Sequence, residues 1–409
     1  MNKGISMKLK SNQMPEFLFY IAYCIKVFVG ILSITVLHNT TIGAMVHHIG
    51  WYVSLLLAML SILCQLRHPI KMALIAVCFA FLFILSSISS RTTTLIALFI
   101  FIYAAKNVSL KKVMVIFVCV HVIMAIVCVT GSKIGIIENI RWIQGTRIRN
   151  SLGYKYATYL SKVYFFMVCS YLFLRNVKTT FPELIIIEII NYLIYRETDS
   201  RTTFYLIAIF SVICYMAKFK KKNNYLDKKR RFVYIYTYVI CAVISFSVIL
   251  GYMYTNAEIF RTINDKLSGR LYISAYDLNE YGLSPFGKQI EWVGQVAKSK
   301  DPSLTITFID CSYLNVMMEH GYVVFILVMV MSVFIMKYII SLENPIYIVL
   351  NVMSAIHFMI EPQLIDLTYS IFPLFLMNSL SYVIKIKRKN KGFLNQTYKI
   401  PVASIKIIS

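Results

Sequence analysis

The sequence predicts an all-α, polytopic membrane protein with about twelve transmembrane helices. Of its 409 residues, 58% are hydrophobic and only 15% are charged. The apolar residues also fall into blocks of roughly 20, the length that a helix needs to cross the hydrocarbon core of a bilayer. A water-soluble fold of this size could not bury so much apolar surface, and disordered, collagen-like and disulfide-scaffold chains have other compositions. We therefore treat the chain, residues 1–409, as one integral membrane domain.

The individual helices follow from the apolar blocks between charged residues. The predicted spans are 16–37, 43–65, 70–89, 92–105, 112–130, 156–174, 181–195, 202–217, 232–254, 314–336, 345–360 and 364–383. The fourth, seventh and eleventh blocks are short, so the count ranges from ten to twelve.

The orientation follows from two basic segments, a lysine and arginine cluster within 218–231 and the tail 384–409. Short basic segments of this kind are retained in the cytoplasm. Both termini are then predicted to be cytoplasmic, and the N-terminal lysines fall on the same side. The net charge of +24 is mostly explained by this topology. It does not indicate a nucleic-acid partner.

Two longer segments, 131–155 and 255–313, are predicted to lie on the outer side. The second is too long to be structureless in a compact protein, so we expect it to be functional and partly helical. Apolar residues recur in it at helical spacing and polar residues face the other way. They are Leu267, Leu271, Ala275 and Leu278, opposed by Arg270, Ser274 and Asp277. The pattern predicts an amphipathic helix, ended by Gly282 and Pro285, whose polar face is turned either to a site or merely to solvent.

The basic residues differ between the two predicted faces. Lysines dominate the inner face, whereas most basic residues of the outer face are arginines. The positive-inside rule disfavours charge there, so a function is expected to retain it. The planar guanidinium is suited to bidentate phosphate binding, which makes a phosphate-bearing ligand at the outer face the simplest explanation. Pairing with nearby carboxylates or with lipid headgroups is the alternative for any single arginine.

The tetrapeptide Ser-Arg-Thr-Thr occurs twice, at 90–93 and at 200–203, each time at the predicted outer start of a helix. Free backbone N–H groups and the positive end of the helix dipole favour a bound anion at such a place. The second copy has more polar neighbours and is the better candidate. For Arg91, a role as a simple helix-end residue is equally compatible.

No motif for nucleotide or metal chemistry is found, so no metal and no cofactor are predicted. His320 could accept a proton near neutral pH, although a packed histidine is as compatible with its context. Several carboxylates are predicted near the same face, and ionisable residues at a membrane boundary are functional candidates by default. They are Asp277, Glu291, Asp310, Glu319 and Glu361.

Several of these segments resemble one known family. Ser-Gly-Arg-Leu at 268–271, Leu-Ser-Pro-Phe-Gly at 283–287 and Asp-Cys-Ser-Tyr-Leu at 310–314, followed by Glu319 and Gly321, are similar to elements of the O-antigen and capsular polysaccharide polymerases of the Wzy type. The segments 149–154 and 199–202 resemble further outer-face elements of that family. The resemblance extends over about 149–321 and, through the layout of spans and one large outer loop, to the whole chain.

The resemblance implies a reaction and its partners. Such polymerases join oligosaccharide repeat units carried on undecaprenyl diphosphate at the outer face of the bacterial cytoplasmic membrane, without a metal or nucleotide. Membrane lipid, a flippase and a chain-length regulator would be the other partners. Cationic side chains would neutralise the departing diphosphate, and a base would activate the acceptor hydroxyl.

The site residues that the resemblance implies fall into three groups. Arg147, Arg149, Arg201 and Arg270 are predicted to bind the diphosphate, Asp310, Glu319 and His320 are the candidate catalytic bases, and Tyr154, Asp277 and Tyr313 are predicted to bind substrate.

Three other functions remain open at this point. A lipid-linked oligosaccharide flippase or transporter would also need many spans and diphosphate-binding arginines, but would more often have two similar halves and short outer loops. An O-antigen ligase is related to the polymerases, and such ligases favour a histidine near the position of Asp310. A non-catalytic scaffold for envelope assembly would depend on no single arginine.

Overall fold

The computed structural model describes residues 2–65, 70–106, 108–144, 147–219, 227–255, 257–301, 303–380 and 382. Most of them are helical. The elements are α1 (Asn2–Ile34), α2 (Thr41–Leu63), α3 (Ile70–Ser90), α4 (Thr94–Ala104), α5 (Leu110–Lys133), β1 (Arg141–Gln144), β2 (Arg147–Asn150), α6 (Thr158–Arg175), α7 (Phe181–Thr198), α8 (Arg201–Ala217), α9 (Lys228–Ile235), α10 (Thr237–Tyr254), α11 (Glu258–Lys266), α12 (Arg270–Tyr281), α13 (Gln295–Lys300), α14 (Ser312–His320), α15 (Tyr322–Ser341) and α16 (Pro345–His357).

Six of the described helices are long and apolar enough to cross a membrane. They are Gln13–Ile34, Thr41–Leu63, Ala73–Ser90, Leu110–Lys133, Thr237–Tyr254 and Tyr322–Ser341. Three further apolar helices, α4, α8 and α16, are shorter. The predicted class, a mostly helical protein built for a membrane, is therefore supported, whereas a count of twelve spans and the orientation stay predictions. The basic tail 384–409 lies outside the described residues.

Three predicted spans differ from the observed helices. The span 232–254 is two helices, α9 and α10, and the span 314–336 is α14 followed by α15. The second break falls at Gly321, whose φ of 90° is not helical. The span 364–383 is helical only from 375, after a series of turns. Asp366 accepts a hydrogen bond from the backbone N–H of Thr368 in these turns, a local bond that competes with a helix.

The segment 131–155, predicted to lie on the outer side, contains a β-hairpin that the all-α prediction did not include. β1 and β2 pair antiparallel, with Ile143 opposite Ile148 and Trp142 opposite Arg149. The β-branched and aromatic residues at these positions favour a strand pair over a helix. Ser151 closes the base of the hairpin, because its hydroxyl accepts a hydrogen bond from the backbone N–H of Ile140 at 3.0 Å. The hairpin holds Arg149 in register beside α7.

The centre of the molecule is α6, whose residues are mostly buried. It packs against α5, α7, α8 and α16. None of its residues is exposed, unlike α2, which is buried mainly along a stripe of small residues such as Ala58 and exposes apolar side chains outward. A polar side chain on α6 is therefore held inside the protein.

The amphipathic helix predicted in the large outer segment is α12. It ends at Gly282, whose φ is 62°, and it buries Leu271 and Ala275 as expected. Its predicted polar face does not behave as one, since Ser274 and Asp277 are buried as well. The reason is that α12 packs against both α10 and α14, so its opposite sides are covered.

The segment that follows α12 docks at the break between α14 and α15. The backbone N–H groups of the first two residues of α15 donate to the carbonyls of Ser284 and Pro285, both at 3.1 Å. Gly287 and Gly321 meet there, and a Cβ on Gly287 would lie 2.0 Å from the carbonyl oxygen of Glu319. Only glycine permits this approach of two backbones. The contact fixes the segment 283–287, and with it part of the long segment 255–313, against α14.

Candidate functional site

Among the described residues, a cavity with a volume of about 1150 Å³ collects many of the predicted site residues. Its walls come from the β-hairpin, α6, the α7–α8 junction, the α11–α12 region and the segment 292–310. Most of these belong to the predicted outer face, so the tertiary structure collects residues that the predicted topology places on one side. The charged lining residues are Arg147, Arg149, Lys162, Asp199, Arg201, Asp265, Lys266, Arg270, Asp310 and Glu361.

Asp199 joins two of the predicted arginines. The chain turns at this residue with a φ of 46°, which ends α7 and directs the carboxylate between Arg147 and Arg201. The Nε of Arg201 lies 3.1 Å from Oδ1, and Nη2 of Arg147 donates to the Asp199 carbonyl at 3.0 Å. Partial burial raises the pKa of Asp199, but the hydrogen bonds from the two arginines outweigh it and hold the pKa below its usual value.

Arg149 has a different environment, because its side chain is buried without a compensating carboxylate among the described residues. The residue is 7% exposed. Its Nε donates to the carbonyl of Thr198 at 2.9 Å, and its guanidinium carbon lies 5.6 Å from the ring centre of Tyr156. A buried charge needs a counter-charge, and an anion in the cavity would supply one.

Four charged residues of the cavity lining are connected by successive ion pairs. We call them the charge chain: Lys162, Glu361, Arg270 and Asp310. Lys162 on α6 forms an ion pair with Glu361, which lies just after α16. Nη2 of Arg270 lies 3.5 Å from Oε1 of Glu361, and Nε of Arg270 lies 3.0 Å from Oδ2 of Asp310. The charges alternate in sign, so the formal charges of these four residues sum to zero.

Burial affects the two carboxylates of the charge chain differently. Burial raises the pKa of Asp310 and outweighs the opposing effect of Arg270. Burial also acts to raise the pKa of Glu361, but Lys162 and Arg270 together lower it below its usual value. Because Asp310 has one cationic partner and Glu361 has two, Asp310 is the better proton acceptor of the pair.

Aromatic rings form another part of the wall. The rings of Trp292 and Phe308 are 6.4 Å apart in an edge-to-face arrangement, and Tyr156, Tyr159 and Tyr205 also line the cavity. Such rings offer flat apolar surfaces with polar edges, which suits a ligand that is both bulky and polar. The cavity thus combines cationic groups with broad apolar surfaces.

Of the three candidate bases, only Asp310 is among the described residues that line the cavity. Glu319 lies behind the aromatic wall and accepts a hydrogen bond from Nε1 of Trp292 at 3.0 Å. His320 is buried, and the hydroxyl of Ser86 donates to its carbonyl at 2.8 Å. Among the lining residues, Asp310 is therefore the candidate that a bound ligand could reach directly.

The three residues predicted to bind substrate lie outside the cavity. Tyr154 and Tyr313 are fully buried, and the hydroxyl of Tyr313 donates to the carbonyl of Ala355 at 2.8 Å. Asp277 is fully buried in α12. Large rings fill the spaces between packed helices, which explains the two tyrosines. All four predicted arginines, in contrast, line the cavity.

Two residues of the charge chain were not singled out by the sequence pattern. Glu361 was one of several carboxylates near the predicted outer face, and Lys162 was only a charge inside a predicted span. An ionisable residue within an apolar span is itself a signal for a functional site, and Lys162 meets that description. Its partner could not be found from the sequence, because almost 200 positions separate the two residues along the chain.

The described residues contain no group of three His, Cys, Asp or Glu side chains that could hold a metal ion. Comparison with known proteins adds no family to these observations: no protein-family model, no curated protein and no solved structure matches the chain. A function is therefore inferred from the cavity and from the resemblance of its segments.

Proposed function

We propose that the protein is a polysaccharide polymerase that joins oligosaccharide repeat units carried on undecaprenyl diphosphate, at the outer face of the bacterial cytoplasmic membrane. The observation that carries this proposal is Arg149, a buried cation that lines the cavity without a carboxylate partner in the described part of the chain. The cavity lining holds six cationic and four anionic side chains, so it favours an anionic ligand.

The ligand that fits this lining has a phosphate group and a larger polar part. Arginine donors arranged in a plane bind phosphate oxygens in pairs, and Arg149 and Arg201 both line the cavity. The volume of about 1150 Å³ leaves room for sugar rings next to the phosphates, alongside the aromatic wall. A membrane protein with such a cavity is suited to a substrate that is anchored in lipid.

The proposed reaction transfers a glycosyl group between two lipid-linked units. The acceptor hydroxyl attacks the anomeric carbon of the growing chain, the bond from that carbon to the diphosphate oxygen breaks, and the electron pair leaves with the diphosphate. Positive charge already in place at the leaving group contributes several kcal/mol to such a step. Asp310, which lines the cavity beside Arg270, accepts the hydroxyl proton.

The experiment that tests this function is mass spectrometry of undecaprenyl-linked saccharides in a strain that lacks the protein, combined with an external glycan-binding probe. Single repeat units that accumulate and can be reached from outside support the polymerase. Units that stay inside would indicate a flippase, and long lipid-linked polymer would indicate a ligase. If the lipid-linked saccharides are unchanged, the result fits a scaffold role of the protein and contradicts the proposal.

A further inference from the structure

All four residues of the charge chain line the cavity, but the two pairs differ in how far their side chains are exposed. The side chains of Lys162 and Glu361 are 6% and 2% exposed, whereas those of Arg270 and Asp310 are 25% and 22% exposed. A ligand in the cavity can therefore contact the second pair and compete for its bonds. The first pair lines the cavity too, but its side chains are much less accessible to such competition.

Arg270 is held mainly from the buried side. Its Nη1 donates to the carbonyl of Ile360 at 2.6 Å and its Nη2 faces Glu361, so two nitrogens bind the same turn. That turn is itself fixed, because the hydroxyl of Ser312 accepts hydrogen bonds from the backbone N–H groups of Gln363 and Leu364. Only Nε is engaged by Asp310. Arg270 can thus lose Asp310 and still keep its orientation.

Lys162 makes this arrangement possible. A carboxylate as buried as Glu361 is strongly unfavourable unless a cation compensates it. Arg270 alone would have to stay fully paired with Glu361, leaving little positive charge for a ligand. With Lys162 on its other oxygen, Glu361 is neutralised from within the protein. The charge of Arg270 is then available at the cavity.

We propose that Glu361, neutralised by Lys162, is a positioning residue that keeps Arg270 in place while a phosphate group of the ligand replaces Asp310 at Nε of the guanidinium. This inference rests on the proposed function and adds the order of events within it. A phosphate carries more charge than a carboxylate and competes well for the same donor. Asp310, having lost its cationic partner, binds a proton more tightly and becomes ready to take it from the acceptor hydroxyl.

The first test is the affinity of purified full-length protein, in lipid nanodiscs, for two probes: undecaprenyl diphosphate and inorganic pyrophosphate. Asp310→Asn removes the competitor at Nε, so we expect binding to tighten by about tenfold while polymer formation is lost. Tightening for both probes, or for the lipid probe alone, supports the exchange. Affinity that is unchanged or weaker for both probes overturns it.

The second test separates positioning from simple folding. Glu361→Gln leaves Lys162 buried and unpaired, so we expect a lower unfolding temperature and an affinity for undecaprenyl diphosphate that is weaker by about tenfold. The double variant with Lys162→Met removes both charges and should regain thermal stability but not affinity, because Arg270 has still lost its anchor. If affinity returns together with stability, the pair serves folding alone and the inference is wrong.

Glu183→Gln is the matched control for these variants. Glu183 also pairs with an arginine, Arg175, but this pair is not among the residues that line the cavity. Its replacement should leave the affinity for both probes unchanged. The binding assays do not depend on polymer formation. They can contradict the inference while the deletion strain still supports the polymerase, and the deletion strain can contradict the polymerase while the binding results are as expected.

Discussion

Arg149 differs from the other lining arginines in the kind of partner it has. Arg147, Arg201 and Arg270 each pair with a carboxylate, while Arg149 relies on a backbone carbonyl and the hydroxyl of Tyr156. A charge left in this state lowers the stability of the protein unless an anion is bound. Such a cost is typical of residues retained for function rather than for folding.

This environment predicts the effect of replacing Arg149. Arg149→Ala should reduce polymer formation by about 100-fold, the usual effect of removing one preorganised donor, without lowering stability. Arg149→Lys should give an intermediate loss, because a lysine keeps the charge but not the fork of donors. The measurement is the length and amount of polymer in the deletion strain after complementation.

Arg196→Ala is the control, since Arg196 is exposed next to this region and is not a lining residue. It should support normal polymer. Full activity of Arg149→Ala would contradict a role of this residue in binding the diphosphate.

Asp277 is a second residue whose surroundings have a measurable consequence. Its carboxylate is fully buried in α12, and both oxygens lack a hydrogen-bond partner among the described residues. Burial raises the pKa of Asp277 to about 7. The folded protein therefore holds a proton on this group that the unfolded chain releases near pH 4, the usual range for aspartate.

The stability of the folded protein is therefore expected to decrease as the pH rises through this range. The contribution of Asp277 to stability is fully present below the pKa of the unfolded state and is lost as the pH rises to about 7. We expect Asp277→Asn to remove this loss, so that the difference in unfolding temperature between pH 5 and pH 8 becomes smaller. Thermal unfolding in detergent at the two pH values measures it. An unchanged difference would show that Asp277 is not the titrating group.

At the scale of elements, the contact between the segment 283–287 and the α14–α15 break holds the outer segment in place. A Cβ on Gly321 would lie 2.3 Å from both the backbone nitrogen of Gly287 and the carbonyl oxygen of Pro285. Backbone atoms cannot rotate away as a side chain can. Because both glycines also have a positive φ, a substitution meets two separate penalties.

We expect Gly321→Ala and Gly287→Ala to destabilise the protein by more than about 3 kcal/mol each. The fraction of monodisperse protein after extraction and its unfolding temperature measure the effect. Gly294→Ala is the matched control, since its φ is −85° and, among the described residues, no atom lies within 4 Å of the position that the added methyl group would take. Equal stability of all three variants would mean that the two backbones are not in close contact.

At the scale of the whole molecule, the cavity gathers segments that the predicted topology assigns to one side of a membrane. The prediction is that this side is the outer one, because the basic cluster within 218–231 and the tail 384–409 are retained inside. Labelling of single introduced cysteines with a membrane-impermeant maleimide checks it. The exposed native cysteines, Cys78 and Cys119, are first replaced by alanine.

Ser303→Cys, in the exposed part of the outer segment, should react in intact cells, and Lys229→Cys, in the exposed start of α9, should react only after the membrane is permeabilised. The opposite pattern would invert the orientation and place the cavity at the cytoplasmic face. It would then contradict the proposed function, because the repeat units are joined outside.

The membrane class and most helices could be predicted from the sequence, since apolar blocks of the required length need no tertiary partner to be recognised. The contrast between arginine and lysine indicated that the arginines of the predicted outer face have a function, and the resemblance selected four of them. All four line the cavity. The hairpin was not predicted because strands of four residues give almost no periodic signal. The break at Gly321 was not predicted because a single residue with a positive φ does not interrupt the apolar pattern of the block.

The pairing of the charges could not be predicted from the sequence, because it depends on the tertiary structure. Ion pairs such as Lys162 with Glu361 join residues far apart in the chain, and no local pattern encodes which of several carboxylates a cation will meet. Arg149 likewise has no carboxylate partner among the described residues. This depends on how the surrounding elements pack and not on its neighbours in sequence. Local composition determines whether a helix suits a membrane, whereas packing determines which charges are compensated from within and which are left for a ligand.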